Sequence, residues 1–139
     1  MVHALKETWR VTRSTVLDIR PIVDAPRIGV KDRVGQEKDC GSLKWSGGGP
    51  ERHAEATAAV SRVVEEGLFT IGAARQFEWV DSFEDVDELV ATVAEDWESW
   101  SIDEDASLCL MQAMEKGGRG AAPLIRQGIR AQVLKKVGV

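Results

Sequence analysis

The sequence predicts an α+β (mixed α/β) fold in which helices cover a sheet. Segments with apolar residues at spacings of three and four alternate along the chain with β-branched segments of period two. At 139 residues and 43% hydrophobic content, the chain is long and apolar enough to bury a core. No internal repeat or low-complexity segment interrupts it, so we expect one domain over residues 1–139.

The first half of the chain contains a helix, a strand and a hairpin. These are a helix over residues 4–11, a strand over 14–23, and hairpin strands over 27–31 and 42–45 around the polar stretch 34–41. Pro21 marks the point where the first strand leaves its sheet. The glycines at 47–49 precede Pro50, which lacks an N–H, so they predict a flexible linker rather than a phosphate cradle.

The second half alternates between helices and long strands. The predicted elements are a helix over 51–66, a strand over 68–80, helices over 82–97 and 101–117, and a closing strand over 123–137. Gly67 is a natural stop for the first of these helices, and Ser82 opens a capping-box-like start for the next. The alternating apolar residues at 129, 131 and 133 favour a strand at the end of the chain, although residues 132–137 alone could be helical.

The charge distribution bears on the partners of this chain. A net charge of −5 and a pI near 5.1 argue against nucleic acid, and no run of about 18 apolar residues predicts a membrane span. Residues 1–50 carry +3, residues 51–105 carry −13, and residues 106–139 carry +5. Such an arrangement favours attraction within the fold or between two copies, although an acidic stretch is also typical of a solvated face.

Cysteines and histidines suggest no chemistry. Cys40 and Cys109 lie 69 positions apart in no metal-binding or redox spacing, so we expect no disulfide and a cytoplasmic location. Cys109 has the position of a small core residue. His3 and His53 lie fifty residues apart with no ligand spacing around them, so surface positions are expected and no metal site is predicted.

Five residues are candidates for a ligand or partner surface: Asp18, Trp45, Trp79, Trp97 and Trp100. A carboxylate inside an apolar strand either marks the strand end where α/β folds bind ligands, or bonds Arg20 or a neighbouring turn. Trp97 and Trp100 lie three residues apart on one face of a predicted helix, as part of the core or as the wall of an apolar pocket. No nucleophile, base and orienting group occur together, so no catalytic residue is predicted.

Three parts of the chain carry a resemblance to a known family. The first is residues 4–7 and 10–11 with Thr15–Pro21, the second is residues 65–69 and 77–80 with 82–83 and Leu89, and the third is residues 123–125 with 130–134. In them the chain resembles the C-terminal half of class I S-adenosylmethionine-dependent methyltransferases. The resemblance implies half of a Rossmann-like sheet with mixed strands, in which 15–21 is a late parallel strand and the last strand is antiparallel.

The same resemblance leaves the cofactor without a site. That family binds its cofactor in the other half, at a glycine-rich turn followed by an acidic residue, and no such turn precedes residue 4. We therefore expect S-adenosylmethionine to bind only with a partner chain. The edge of the strand at 15–20 would be bare in a half-sheet, so the 27–45 hairpin, a second copy or another chain is expected to cover it.

Two functions follow as hypotheses. The first is a non-catalytic methyltransferase-like module that forms a homodimer or binds a partner chain, as the substrate-side half of a split enzyme. The alternative is a small-molecule binding domain with a tryptophan-lined apolar pocket.

Overall fold

A computed structural model describes residues 1–47 and 49–138, within which the chain forms four helices and seven strands. The helices are α1 (Val2–Val11), α2 (Gly49–Glu65), α3 (Val86–Asp96) and α4 (Glu104–Gly117). The strands are β1 (Thr15–Pro21), β2 (Arg27–Lys31), β3 (Glu37–Ser42), β4 (Lys44–Trp45), β5 (Phe69–Ser82), β6 (Trp100–Ser101) and β7 (Ala122–Lys136). With 38% helix, 37% strand and antiparallel sheets, the α+β class is confirmed.

The chain divides into two compact units, each assembled from separate stretches of sequence. Unit 1 comprises Met1–Val23, Pro50–Phe77 and Ile129–Val139, and unit 2 comprises Asp24–Gly49 and Glu78–Gly128. The sequence alone predicted one domain. The division falls within β5 and β7, because each of these long strands gives its two halves to different units.

Unit 1 is built on β1 and the second half of β7. These strands pair antiparallel from Thr15↔Lys135 to Pro21↔Ile129, as expected for a closing antiparallel strand. A buried cluster of Val60, Val63, Phe69 and Leu134 joins α2 to this sheet, with apolar residues of α1 packed against it. Burial of these side chains supplies the main driving force for folding of the unit.

Helix α1 is attached to unit 1 by polar contacts as well as apolar ones. The Lys6 ammonium lies 2.8 Å from a carboxylate oxygen of Glu66, and this bond is the main reason that the pKa of Glu66 is lowered. The indole N–H of Trp9 donates to the carbonyl oxygen of Val137 at 3.3 Å, and the Lys136 ammonium lies 4.6 Å from the ring centre. This last contact is a cation–π interaction.

Unit 2 contains the β2–β3 hairpin, the first half of β7 and the short pair β4–β6. Strand β2 pairs antiparallel with β3 on one side and with β7 on the other. The hairpin therefore does not cover the edge of β1, and that part of the expectation is wrong. The core contains fully buried aliphatic residues from the sheet and both helices: Ile28, Leu43, Leu89, Leu110 and Ile125.

Three element boundaries differ from the sequence prediction. Helix α4 begins at Glu104 rather than at residue 101, because Asp103 is its N-cap and accepts from the Ala106 N–H at 2.8 Å. The stretch 34–41, which was expected to be a turn, contains most of β3. The turn is shorter than expected because the Asp32 side chain closes it: its Oδ1 accepts from the N–H groups of Val34 and Gln36 at 3.0 and 2.9 Å. Helix α3 begins at Val86 rather than Ser82, because Asp85 is the N-cap and accepts from the Glu88 N–H at 2.8 Å.

The two cysteines of the chain are bonded to each other. Cys40 of β3 and Cys109 of α4 form a disulfide with a Cα–Cα distance of 5.5 Å, so the expectation of no disulfide is wrong. The 69-residue separation does not prevent pairing, because β3 and α4 belong to the same compact unit. The inference of a cytoplasmic location from unpaired cysteines loses its basis. Across the described ranges, no helix is long and apolar enough to cross a membrane.

Four other local predictions and one helix stop are confirmed. The helices at α1 and α2, the strand ending at Pro21 and the closing strand lie where periodicity placed them. Gly67 follows α2 with φ +75°, the left-handed conformation that glycine adopts at a helix end. In the triple-glycine loop, Gly49 opens α2, and Gly48 lies outside the described residues.

Candidate binding cavity

Strand β1 has its polar and apolar faces the opposite way round from an ordinary covered strand. Asp18 and Arg20 are partly buried on the face that carries Val16 and is covered by helices, whereas Leu17 and Ile19 are 59% and 55% exposed on the other face. A half-covered strand normally turns its apolar side chains inward and its polar ones outward. The polar groups of β1 are therefore held inside unit 1.

Asp18 is the centre of a bonded cluster. Its two carboxylate oxygens accept from Nε of Arg20 at 3.0 and 3.1 Å, and Oδ2 also accepts from the Gln132 amide at 2.8 Å. Gln132, the cross-strand neighbour of Asp18, is only 4% exposed. Of the two roles considered for Asp18, the bond to Arg20 is present.

A second arginine faces the first across the sheet. Arg20 and Arg130 are direct cross-strand partners in the β1–β7 register. Arg20 reaches towards α2, where its Nη1 donates weakly to the Thr57 hydroxyl at 3.4 Å. No ion pair of Arg130 occurs within residues 1–47 and 49–138. Like charges directly opposite each other destabilise a sheet, so an anion bound near the two guanidinium groups would be stabilising.

These groups line an open cavity of about 790 Å³ in unit 1, with Arg130 exposed at its wall. Its polar wall comes from the sheet and from the first three turns of α2, and its apolar wall includes Ile22, Val60 and Ile71. Helix α2 contributes His53, Thr57 and Ser61, which lie at spacings of four along one side. A volume of this size, with a few converging polar groups among apolar ones, is typical of a small-molecule site.

The cluster determines which chemistry the cavity can perform. Because Asp18 already accepts from Arg20 and Gln132, it orients the Arg20 guanidinium and neutralises one of the two arginine charges. The other charge, on Arg130, is left to attract a ligand. Guanidinium groups bind carboxylates and phosphates through paired N–H donors, so the arrangement suits an organic anion.

The four candidate tryptophans belong to unit 2, whereas Asp18 belongs to unit 1. Trp45 stacks on Trp100 with ring centres 3.7 Å apart, and Trp79 stacks on Trp97 at 6.2 Å. The expectation that Trp97 and Trp100 share a helix face is wrong, because α3 ends at Asp96 and Trp100 belongs to β6. Both pack against the core of unit 2, which is the structural alternative.

Sequence reasoning missed Arg130, Gln132 and Thr57 as site residues. A signal was present in the closing strand: alternation places Arg130 and Gln132 on the same face as the buried Leu134. An amide next to a buried leucine on the covered face of a strand indicates a polar group in the interior. Thr57 gave no comparable signal, since a threonine in a helix usually faces solvent.

Within the part of the chain that the structure describes, no group of three or more histidine, cysteine, aspartate or glutamate residues is placed to hold a metal ion. Comparison with known proteins finds no matching protein family, no matching curated protein and no matching solved structure.

Proposed function

We propose that this chain is a small-molecule binding domain whose ligand is an organic anion, held through its carboxylate or phosphate group in the cavity of unit 1. The observation that carries the proposal is the pairing of Arg20 with Arg130 on the wall of this cavity. The proposed ligand site is polar and is lined by none of the four candidate tryptophans. The apolar wall would accept the carbon skeleton of the ligand.

Arg130 has no counter-ion among the described residues. Asp18 offsets Arg20. The ligand-free cavity therefore keeps two guanidinium groups opposite each other with one carboxylate partner for the two. Asp18 reduces their repulsion, which for a like-charge pair without a counter-ion costs up to about 1 kcal/mol. Proteins retain such local conflicts at functional sites more often than elsewhere. An anion between the guanidinium groups removes the repulsion and gains charge-assisted hydrogen bonds.

Replacing Arg130 tests this proposal. We expect Arg130→Gln to weaken binding of phenyl phosphate or benzoate by about tenfold or more, because one charge-assisted bond is lost. In anion-free buffer the same variant should be as stable as the wild type, or more stable by up to about 0.5 kcal/mol, because the like-charge contact is gone. Calorimetric titration and urea unfolding measure the two effects separately.

The matched control is Arg119→Gln, which changes the net charge equally but lies in unit 2. It should bind both anions as the wild type does. Two results would contradict the proposal: no heat from any carboxylate or phosphate ligand with the wild-type chain, or equal binding by the Arg130 and Arg119 variants.

Self-association is a second candidate, because the outer face of β1 is apolar and exposed. Leu17 is paired with Val133 and Ile19 with Ala131 across the strands, so four apolar side chains share this face. An exposed apolar patch on a sheet is a common site of association. A second copy of the chain is the partner that the sequence prediction of a homodimer names. The methyltransferase-like module and the cytoplasmic location stay predictions from sequence.

Light scattering tests the homodimer. We expect the wild type to have twice the mass of one chain. The double variant Leu17→Ser with Ile19→Ser should have the mass of a single chain, because the apolar contact between copies is lost. Val11→Ser with Val34→Ser removes two other exposed apolar residues and should leave the mass unchanged. A monomeric wild-type chain at high protein concentration would exclude the homodimer.

A further inference from the structure

We propose that Cys109 is a site of thiol–disulfide exchange with anionic low-molecular-weight thiols, which enter a cavity of unit 2 and form a mixed disulfide with it. This site is independent of the anion cavity of unit 1. It would allow the covalent link between β3 and α4 to be opened without unfolding the chain.

The two cysteines of this disulfide differ in exposure. A cavity of about 420 Å³ is lined by Cys109 but not by Cys40. Cys109 is partly exposed, whereas Cys40 is only 9% exposed and belongs to the core of unit 2. Exchange requires a thiolate to reach one sulfur atom, so attack is expected at Cys109.

Two lysine side chains in the cavity wall can attract an anionic ligand. One stripe of α4, with residues at spacings of three and four, contributes Cys109, Gln112 and Lys116 to the wall. Strand β3 adds Lys38. In the described part of the chain, neither lysine forms an ion pair.

The acidic groups of the same wall are already engaged. Glu37 is bound by the Arg126 guanidinium, with one bond of 3.0 Å from Nε. Asp32 accepts the backbone N–H groups that close the hairpin turn. Lys38 and Lys116 are therefore the charged groups left to a ligand, and they favour a thiol that carries carboxylates and reacts as its thiolate.

The exchange balances without a further reactant. The thiolate of the small molecule attacks Sγ of Cys109, a new sulfur–sulfur bond forms, and the bond to Cys40 breaks. Cys40 leaves as a thiolate and takes up a proton from water. The small thiol is oxidised to the level of a disulfide, and Cys40 is reduced by the same amount.

Mass spectrometry of the native full-length chain tests this inference. The chain is incubated with glutathione, or with cysteamine as a cationic thiol at equal thiolate concentration, and quenched with acid at early times. We expect one adduct per chain, located by peptide mapping on Cys109, with Cys40 as a free thiol. The double variant Lys38→Gln with Lys116→Gln should exchange with glutathione about fivefold more slowly than the wild type. Its rate of exchange with cysteamine should not fall, because the lysines attract only the anionic thiol.

The matched control is Lys44→Gln with Lys135→Gln, which removes two lysines outside this cavity and should leave both rates unchanged. The inference is overturned by an adduct mainly on Cys40, by equal slowing of both thiols, or by an adduct that forms only in denaturant. The wild-type mapping needs no variant, so a poorly folded substitution does not block the test.

Discussion

Removing the disulfide by Cys40→Ala with Cys109→Ala should lower the free energy of unfolding by about 4 kcal/mol. The bond joins residues 69 positions apart, and a cross-link over such a long loop strongly restricts the unfolded chain. Alanine is the better replacement here, because serine would place a hydroxyl in the apolar core around Cys40. Urea unfolding of the oxidised wild type and the variant, followed by tryptophan fluorescence, gives the difference.

The reduced wild-type chain is the control for this experiment. With excess reductant, its unfolding midpoint should fall close to that of the double variant, because both lack the cross-link. A loss of about 4 kcal/mol is a large part of the 5–15 kcal/mol by which a typical domain is stable. A variant within about 1 kcal/mol of the oxidised wild type would contradict the prediction, since the lower end of the usual range is about 2 kcal/mol.

Local pattern was sufficient for the elements that depend on neighbouring residues. The apolar positions of α2 repeat at spacings of three and four, and its stop depends on one glycine, Gly67. The closing strand was favoured by the alternating apolar residues at 129, 131 and 133, which lie within β7. Arg20 was a stated partner of Asp18 because the two lie two residues apart on one side of a strand.

Contacts between distant residues were not accessible in this way. Gln132 lies 114 positions from Asp18 and reaches it only because β1 and β7 pair in one register. The disulfide likewise depends on α4 packing against β3. Trp97 and Trp100 were assigned to one helix face because their spacing fits a helix. Helix α3 ends at Asp96, however, before either tryptophan. Spacing along the chain gives no information on where an element stops without a capping signal.

The candidate cavity was predictable only in part. Asp18 was identified because a carboxylate is unusual in an apolar strand. Its partner across the sheet and the second arginine needed the register, which sequence alone does not provide. The pairing Arg20↔Arg130 is a property of two strands together, so neither strand alone predicts it.

Replacing the carboxylate at the centre of this cavity, Asp18→Ala, should lower the free energy of unfolding by about 3 kcal/mol. The Gln132 amide, at 4% exposure, loses its acceptor, and Arg20 loses its ion pair with the two arginines still opposite each other. Asp18→Asn should cost less, because its amide oxygen still accepts from Gln132. Urea unfolding in anion-free buffer measures both variants.

Adding an anion separates the structural role of Asp18 from the proposed binding role of the cavity. If the two arginines attract anions, inorganic phosphate should stabilise Asp18→Ala more than the wild type, because the vacated carboxylate position and both guanidinium groups become available. Sulfate at matched ionic strength should act similarly, whereas chloride should not, because it lacks the oxygen geometry that a guanidinium binds. A loss of stability that phosphate does not reverse would leave Asp18 with a structural role alone. Recovery that disappears when Arg130→Gln is added would place the anion at the arginine pair.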